Sequence, residues 1–376
     1  MSAGRGRLRA VVAGGGVAAL EMVLALEADA PGLLDVVLVA PDAEYVERAG
    51  SVVEPFGGRP AVRGATASLA DLAAAHLVED ALAAVQPHQR TMGTAGGREL
   101  AYDVLVVATG ATPQRPIAGA VTFGVDAHEA LADLVRDVAE DYDDGVAIVV
   151  PPGPTWPLPA YELALFAAGE LKGMRRTKRV VLVTSESRPL DLFGDEASAE
   201  AAEILRAAGV DLRTGSVVAG HDAGRLVLAP SGEELAGVRV ASLPTLRGPA
   251  VPGLPADEHG FLPVDDQGRV IGVEDVHAIG DAANWPLKQG SLAAQQAAVA
   301  ARHIARRAGA DLPAAEWAPV IEATLWGATH DLHLRARPSM LRTVTELAAP
   351  AAGQTTTKVH ARHLSAALDR AKEEHR

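Results

Sequence analysis

Arg9-Ala10-Val11-Val12-Ala13-Gly14-Gly15-Gly16-Val17-Ala18-Ala19-Leu20-Glu21 is the stretch around which the chain is organised. An apolar strand runs straight into glycines, and a helix carrying Leu20, Val23, Leu24 and Leu26 follows. The spacing fits G-x-G-x-x-G/A with Gly14, Gly16 and Ala19 at the fixed places. Gly14 permits the tight turn, Gly16 lets backbone approach a pyrophosphate, and Ala19 lets helix and strand pack closely. The helix N-terminus then offers free N–H groups and a positive dipole end to phosphates. A second strand, Asp35 to Ala40, arrives where a βαβ unit places it.

The bulk composition narrows the classes. A chain of 376 residues is long enough for two domains, and 48% hydrophobic residues can fill both cores. A net charge of −14 argues against nucleic acid and against an anionic membrane surface. Cysteine is absent, so thiolate ligands, catalytic disulfides and persulfides are all impossible. The first nine residues hold arginines but no apolar core of signal-peptide length, and no run of 18 apolar residues exists to span a membrane. A soluble cytoplasmic protein without a transmembrane segment is the expectation.

Further along, Tyr102-Asp103-Val104-Leu105-Val106-Val107-Ala108 reads as a buried parallel strand. It ends in Thr109-Gly110-Ala111, which puts small residues at a carboxyl edge, where open α/β sheets bind ligands. A second α/β unit begins near Gly145. Strand 146–150 leads into the proline-rich loop 151–159, helix 161–171, strand 179–184 and helix 195–208. Residues 225 to 247 read as short antiparallel strands with turns at Ser231-Gly232 and Gly237. The chain then returns to its first theme with Val276-His277-Ala278-Ile279-Gly280-Asp281, followed by a long helix from about Ser291 to Ala308. Residues 319 to 335 read as a hairpin or a short helix, the hairpin favoured, and the stretch from Ala348 onward as polar and loosely packed, with a helix near Ala361 to Arg376 too poor in large apolar residues to anchor in a membrane.

Four motifs stand in order: the Gly14 turn, YDVLVVATG at Tyr102–Gly110, VHAIGD at Val276–Asp281, and Lys288-Gln289-Gly290. Together they resemble the FAD-dependent pyridine nucleotide-disulfide oxidoreductase superfamily, closest to its sulfide:quinone oxidoreductase and type II NADH dehydrogenase-like branch. The resemblance implies an α/β fold of two Rossmann-like dinucleotide-binding domains, the second inserted in the first. Residues 1–112 and 246–312 would form the FAD domain, 113–245 the insert, and 313–376 a C-terminal hairpin and polar tail. It implies FAD as cofactor. Gly14, Gly16 and Ala19 would cradle the pyrophosphate, Val85 would touch adenine through its backbone, Thr109 and Gly110 would line the ADP part, and Asp281 would bond the ribityl chain or a phosphate edge. Lys288, with Gln289 in the same motif, would sit at the flavin ring as the catalytic cation. A helix N-terminus and an ammonium at that spot favour acceptance of electrons. The bland alternative for Lys288 is a solvated loop lysine. Only five lysines in the chain and the motif context weigh against it.

Two departures stand out. The second strand ends Val39-Ala40-Pro41-Asp42, and Ala40 cannot bond a ribose hydroxyl through its side chain. Asp42 is left as a substitute or as a turn cap. The loop Pro151-Pro152-Gly153-Pro154-Thr155-Trp156-Pro157-Leu158-Pro159 has one glycine and five prolines where a second glycine-rich loop would bind NAD(P)H. Proline has no N–H, so a cradle of N–H groups is not expected there.

His330 and His333 are not a metal pair on a strand, since an odd step turns them to opposite faces, and no metal site is expected. Glu162 and Glu186 are candidate acids near the insert's cleft, although most such residues are solvated. Two functional readings follow. One is an oxidoreductase passing a hydride or electron pair between a small-molecule donor and acceptor, NAD(P)H and a quinone among the options, without thiol chemistry. The other is a flavoprotein with a lost reductant site, serving as a structural or partner-binding module. A homodimer is compatible with either.

Overall fold

The computed structural model describes residues 7–56, 66–73, 75–126, 128–222, 224–327, 331–338, 343–347 and 358–374. His330 and residues 348–357 of the expected tail lie outside them.

Strand β1 (Leu8–Ala13) feeds α1 (Val17–Asp29), which returns into β2 (Leu34–Ala40). With β3 (His76–Glu79), β5 (Val104–Val107) and β11 (Val276–Ala278), and with β4 (Leu82–Gln86) lying between β3 and β5 in sequence, the first parallel sheet has the order β11-β5-β1-β2-β3. Alternation along β1 splits its side chains between two cores. Ala10 and Val12 join Leu20 and Val23 of α1 on one face, while Val11 joins Val37, Val39, Leu105 and Val107 on the other. Both faces are covered, which is why these strands are continuous apolar runs. Helix α1 is apolar almost all round and is buried from Ala18 to Leu26.

The second parallel sheet is built from β6 (Val121–Thr122), β7 (Gly145–Val149), β8 (Arg179–Val183), β9 (Val210–Arg213) and β10 (Val238–Ser242), in the order β6-β10-β7-β8-β9. Helices α2 (His128–Ala139), α3 (Leu158–Gly173) and α4 (Gly194–Ala208) contribute to the core on one face, against Val146, Ile148, Val180 and Leu182. Val238–Ser242 departs from the antiparallel expectation: it pairs in parallel with β7 from Gly145↔Val238 to Val149↔Ser242. Local composition does not separate the two pairings; the open edge of β7 decides it.

Helix α5 (Gly290–Ala308) packs on α1 through small residues such as Ala297, Ala300 and Ala301, all fully buried. Strands β12 (Ile321–Leu325), β13 (Leu332–Pro338) and β14 (Thr343–Leu347) form an antiparallel sheet. Its Leu325 and Leu334 share the core of α3 and α4. The expected hairpin is β12–β13. The last helix, α6 (Arg362–Glu374), corrects the expectation of a loose tail. Leu364 and Leu368 are buried in the α1–α5 core, because an amphipathic helix lays its apolar side on α1. Among the described residues, no helix is long and apolar enough to cross a membrane.

Candidate functional site

In the first sheet the strand order reverses between β1 and β5, and the chain leaves both strands at the same edge. Such a switch point opens a crevice at the carboxyl ends. Gly14 has φ +135, and a Cβ there would lie 2.2 Å from the Ala108 carbonyl oxygen. Only glycine fits a turn pressed so close to the end of β5. Gly16 is the opposite case: it is exposed, and a Cβ on it would meet nothing within 4 Å. The free space in front of Gly16 therefore faces the first turn of α1, whose N–H groups have no partner inside the helix. That is the arrangement a pyrophosphate needs, so the residues present fit the dinucleotide half of FAD.

A single cleft of about 1230 Å³ runs from this turn. Gly14, Gly16 and Asp42 line it, as do Thr109 and Gly110 beyond β5 and Asp281, Lys288 and Gln289 ahead of α5. Ala19 lies beneath it, fully buried in α1. Val85 is a correction, because it stands outside the cleft. Its N–H donates to the Pro252 carbonyl at 2.8 Å, and its side chain is in the core on the other face of the sheet. Glu79, Ala81 and Leu82 line the cleft in that region instead.

Lys288 is buried, 5% exposed. Its Nζ donates to the carbonyls of Asp281, at 3.3 Å, and Ala283, and lies 3.8 Å from the centre of the Phe261 ring. Burial pushes the ammonium down to about 8, with the charges of Asp281 and Asp257 opposing. Burial likewise raises the Asp281 carboxyl, against the pull of Lys288. Gln289 also lines the cleft, but its amide serves the fold. Its Oε1 caps α5 by accepting the Leu292 N–H at 3.2 Å, and its Nε2 donates to the Glu322 carbonyl at 2.7 Å.

The cleft continues past Trp156 to a charged pair invisible in the linear sequence. Glu162 on α3 is fully buried and ion-paired with Lys358, whose side chain is 9% exposed. The Trp326 N–H donates to Glu162 Oε1 at 2.9 Å, and Lys358 Nζ lies 3.7 Å from the centre of the Trp326 ring. Glu162 is legible in the sequence as a candidate acid; Lys358, which arrives from 196 residues away, is not. Glu186, the other candidate acid, accepts the Tyr161 hydroxyl at 2.6 Å and the Thr184 hydroxyl at 2.9 Å. Burial raises its carboxyl, and these two hydroxyls oppose the rise.

The second sheet has its own switch point, between β7 and β10. Here the proline loop closes on the segment after β10. Thr155 Oγ1 donates to the Pro244 carbonyl at 3.1 Å, and the Leu246 N–H to the Pro154 carbonyl at 3.2 Å. Helix α3 opens with Pro157 as its cap and Pro159 in its first turn, and the Ala160 N–H is bonded to the Pro157 carbonyl at 3.0 Å. These residues do not fit a second pyrophosphate. Among the described residues, no group of three or more His, Cys, Asp or Glu could hold a metal ion.

Two parallel α/β sheets, the return of β11 to the first of them, and an N–H-lined crevice at the Gly14 turn define a protein of the two-Rossmann-sheet oxidoreductase class. The model of the pyridine nucleotide-disulphide oxidoreductase family matches residues 8–303, and the chain belongs to that family. NADH dehydrogenase-like proteins of two Mycobacterium tuberculosis strains are 32% identical over 231 residues, which is 56% of this chain and 55% of theirs. The chain thus matches about half the length of these relatives. The fold is similar to that of the sulfide:quinone oxidoreductase of Aquifex aeolicus, with a TM-score of 0.77 and 18% identity over 90% of this chain and 86% of that one. It is also similar to a ferredoxin reductase of Rhodopseudomonas palustris, with a TM-score of 0.64 and 19% identity over 88% and 82%.

Proposed function

We propose that this protein is an FAD-dependent oxidoreductase that passes an electron pair between a small-molecule donor and an acceptor without thiol chemistry. The observation that carries the reading is the open space in front of Gly16, at the head of a continuous cleft that reaches Lys288. When bound, FAD supplies a ring that takes up and gives back an electron pair. Gly14 and Gly16 hold the turn open to the phosphates, and the N-terminus of α1 contributes donors and dipole. Thr109, Gly110 and Asp281 border the same cleft. Lys288 and the N-terminus of α5 bring positive charge, which favours uptake of electrons beside them. The wing of the cleft past Trp156 offers a donor or acceptor a buried carboxylate and ammonium, Glu162 and Lys358. Binding of NAD(P)H at the second switch point is not part of this reading, since the proline loop lacks the N–H groups of a pyrophosphate cradle.

The absence of cysteine excludes persulfide and disulfide routes. The test is to purify the protein, record flavin absorbance before and after incubation with FAD, and reduce it anaerobically with dithionite, NADH, NADPH and a hydroquinone in turn. Stoichiometric FAD that bleaches and reoxidises is the expected result. A protein that stays colourless after incubation with FAD overturns the reading. A flavin that binds but accepts electrons from no donor favours the structural or partner-binding role.

A further inference from the structure

A dinucleotide site on a Rossmann sheet usually holds the adenosine ribose with an acid at the end of the second strand. That place is Ala40. A Cβ on Gly15 would lie 3.1 Å from the Ala40 Cβ, so the glycine turn passes close to the end of β2. Ala40 pairs in register with Glu79, the last residue of β3. Partners in a parallel ladder point to the same face, and neighbouring strands lie about 4.8 Å apart. The cores confirm the face. Val39 and its partner Val78 are packed together on one side of the sheet, while Leu38 and Ala40 face the α1 side. Glu79 therefore stands beside Ala40 on the α1 side, exposed, and lines the cleft.

The other acids nearby are less suited. Asp80 Oδ1 is engaged by the N–H groups of Ala81 at 2.8 Å and Gly96 at 3.0 Å. Asp42 lies beyond Pro41 in a bend, off the end of the sheet. No described residue bonds or pairs with the Glu79 carboxylate.

Resting on the flavoprotein reading above, we infer that Glu79 is the ribose-binding acid, moved from the second strand to its neighbour. Its carboxylate accepts the 2′-hydroxyl of the adenosine ribose, which makes it a specificity residue for a dinucleotide with an unmodified 2′ position. A charge-assisted hydrogen bond of this kind corresponds to a roughly ten- to hundredfold change in affinity.

The experiment measures FAD dissociation constants of the apo-protein by quenching of flavin fluorescence, for wild type, Glu79→Gln, Glu79→Ala and Asp42→Asn. It also compares ADP with 2′-deoxy-ADP as competitors. Expected are a roughly ten- to hundredfold weaker Kd in both Glu79 variants, little change in Asp42→Asn, and a wild-type preference for ADP over 2′-deoxy-ADP that the Glu79 variants lose. A merely structural role would not move that preference. Unchanged FAD affinity in the Glu79 variants, an equal or larger loss in Asp42→Asn, or a preference that survives Glu79→Gln overturns the assignment. Wild type that binds no FAD defeats the flavoprotein reading itself, so the two failures are distinct.

Discussion

The buried carboxylate of Glu21, in the middle of α1, accepts the backbone N–H of His363 at 3.0 Å and of Leu364 at 2.8 Å. A residue near the start of the chain thus caps the last helix, and the negative charge meets the positive end of the α6 dipole. The contact also anchors the segment that carries Lys358 to the cleft. Between the two, the His360 N–H donates to Ser291 Oγ at 2.9 Å, on the first turn of α5.

Replacing Glu21 with Ala should therefore loosen the C-terminal segment as well as lower stability. Losing an acceptor from buried N–H groups costs about 1–3 kcal/mol. Urea denaturation should show a lower midpoint for Glu21→Ala, with a smaller loss for Glu21→Gln, which keeps an acceptor. Limited proteolysis should remove the tail faster from the Ala variant. A tail as resistant as in wild type would show that packing of Leu364 and Leu368, rather than the cap, holds α6.

The two outer glycines of the first turn should fail in different ways. Gly14→Ala pushes a methyl into the Ala108 carbonyl at a positive φ, so the variant should be poorly folded with or without FAD. Gly16→Val has free space in the empty protein, so its thermal midpoint without flavin should stay near wild type while FAD retention is lost. Differential scanning fluorimetry with and without FAD separates the two. Full flavin occupancy in Gly16→Val would move the phosphates away from this turn.

Which parts were readable in the sequence follows from how far each signal reaches along the chain. The Gly14 turn and Val104–Val107 carry their meaning in adjacent residues, so the fold class and the glycine-turn and Thr109–Gly110 edges of the cleft were legible, whereas the lining from Ala43 to Ala49 was not. Val85 reads differently in the structure because its N–H is taken by the Pro252 carbonyl, far along the chain. Val238–Ser242 was read with the wrong pairing for the same reason. Lys358 gave no local sign at all. Only the docking of α6 on α1 brings that lysine to Glu162, and a single lysine in a polar stretch reads as solvated. Glu79 was equally mute, since its meaning lies in its register with Ala40.

The Glu162–Lys358 pair supports a third expectation. Removing one partner of a buried ion pair strips the other of its countercharge and typically costs more than replacing both. Lys358→Met alone should thus be more destabilising than Lys358→Met combined with Glu162→Gln. Denaturation midpoints of the two single variants and the double variant close the cycle. Additive losses would mean that the two side chains do not act as a pair.

Lys288 gives a pH dependence whose sign can be worked out. Its folded pKa, about 8, lies below its ordinary value of 10.5. Between those values the unfolded chain holds a proton that the folded chain has released. Stability contributed by this residue therefore rises with pH across that window and is at its least below about 8. The difference in unfolding free energy between apo wild type and Lys288→Met should move in favour of wild type as pH goes from 7.5 to 10, by about 2 kcal/mol. Below pH 8 the buried ammonium is a burden on the empty protein, which is sensible if its charge has a task once the cleft is filled. With FAD bound, Lys288→Met should lower the two-electron midpoint potential by tens of millivolts, as about 30 mV corresponds to about 1.4 kcal/mol. The Nζ is already held by the carbonyls of Asp281 and Ala283, so its effect on the ring is expected through charge rather than through a full hydrogen bond. A flat pH difference would mean that the ammonium is hydrated in the folded chain. An unchanged potential with FAD retained would leave Lys288 as a tether for the turn ahead of α5.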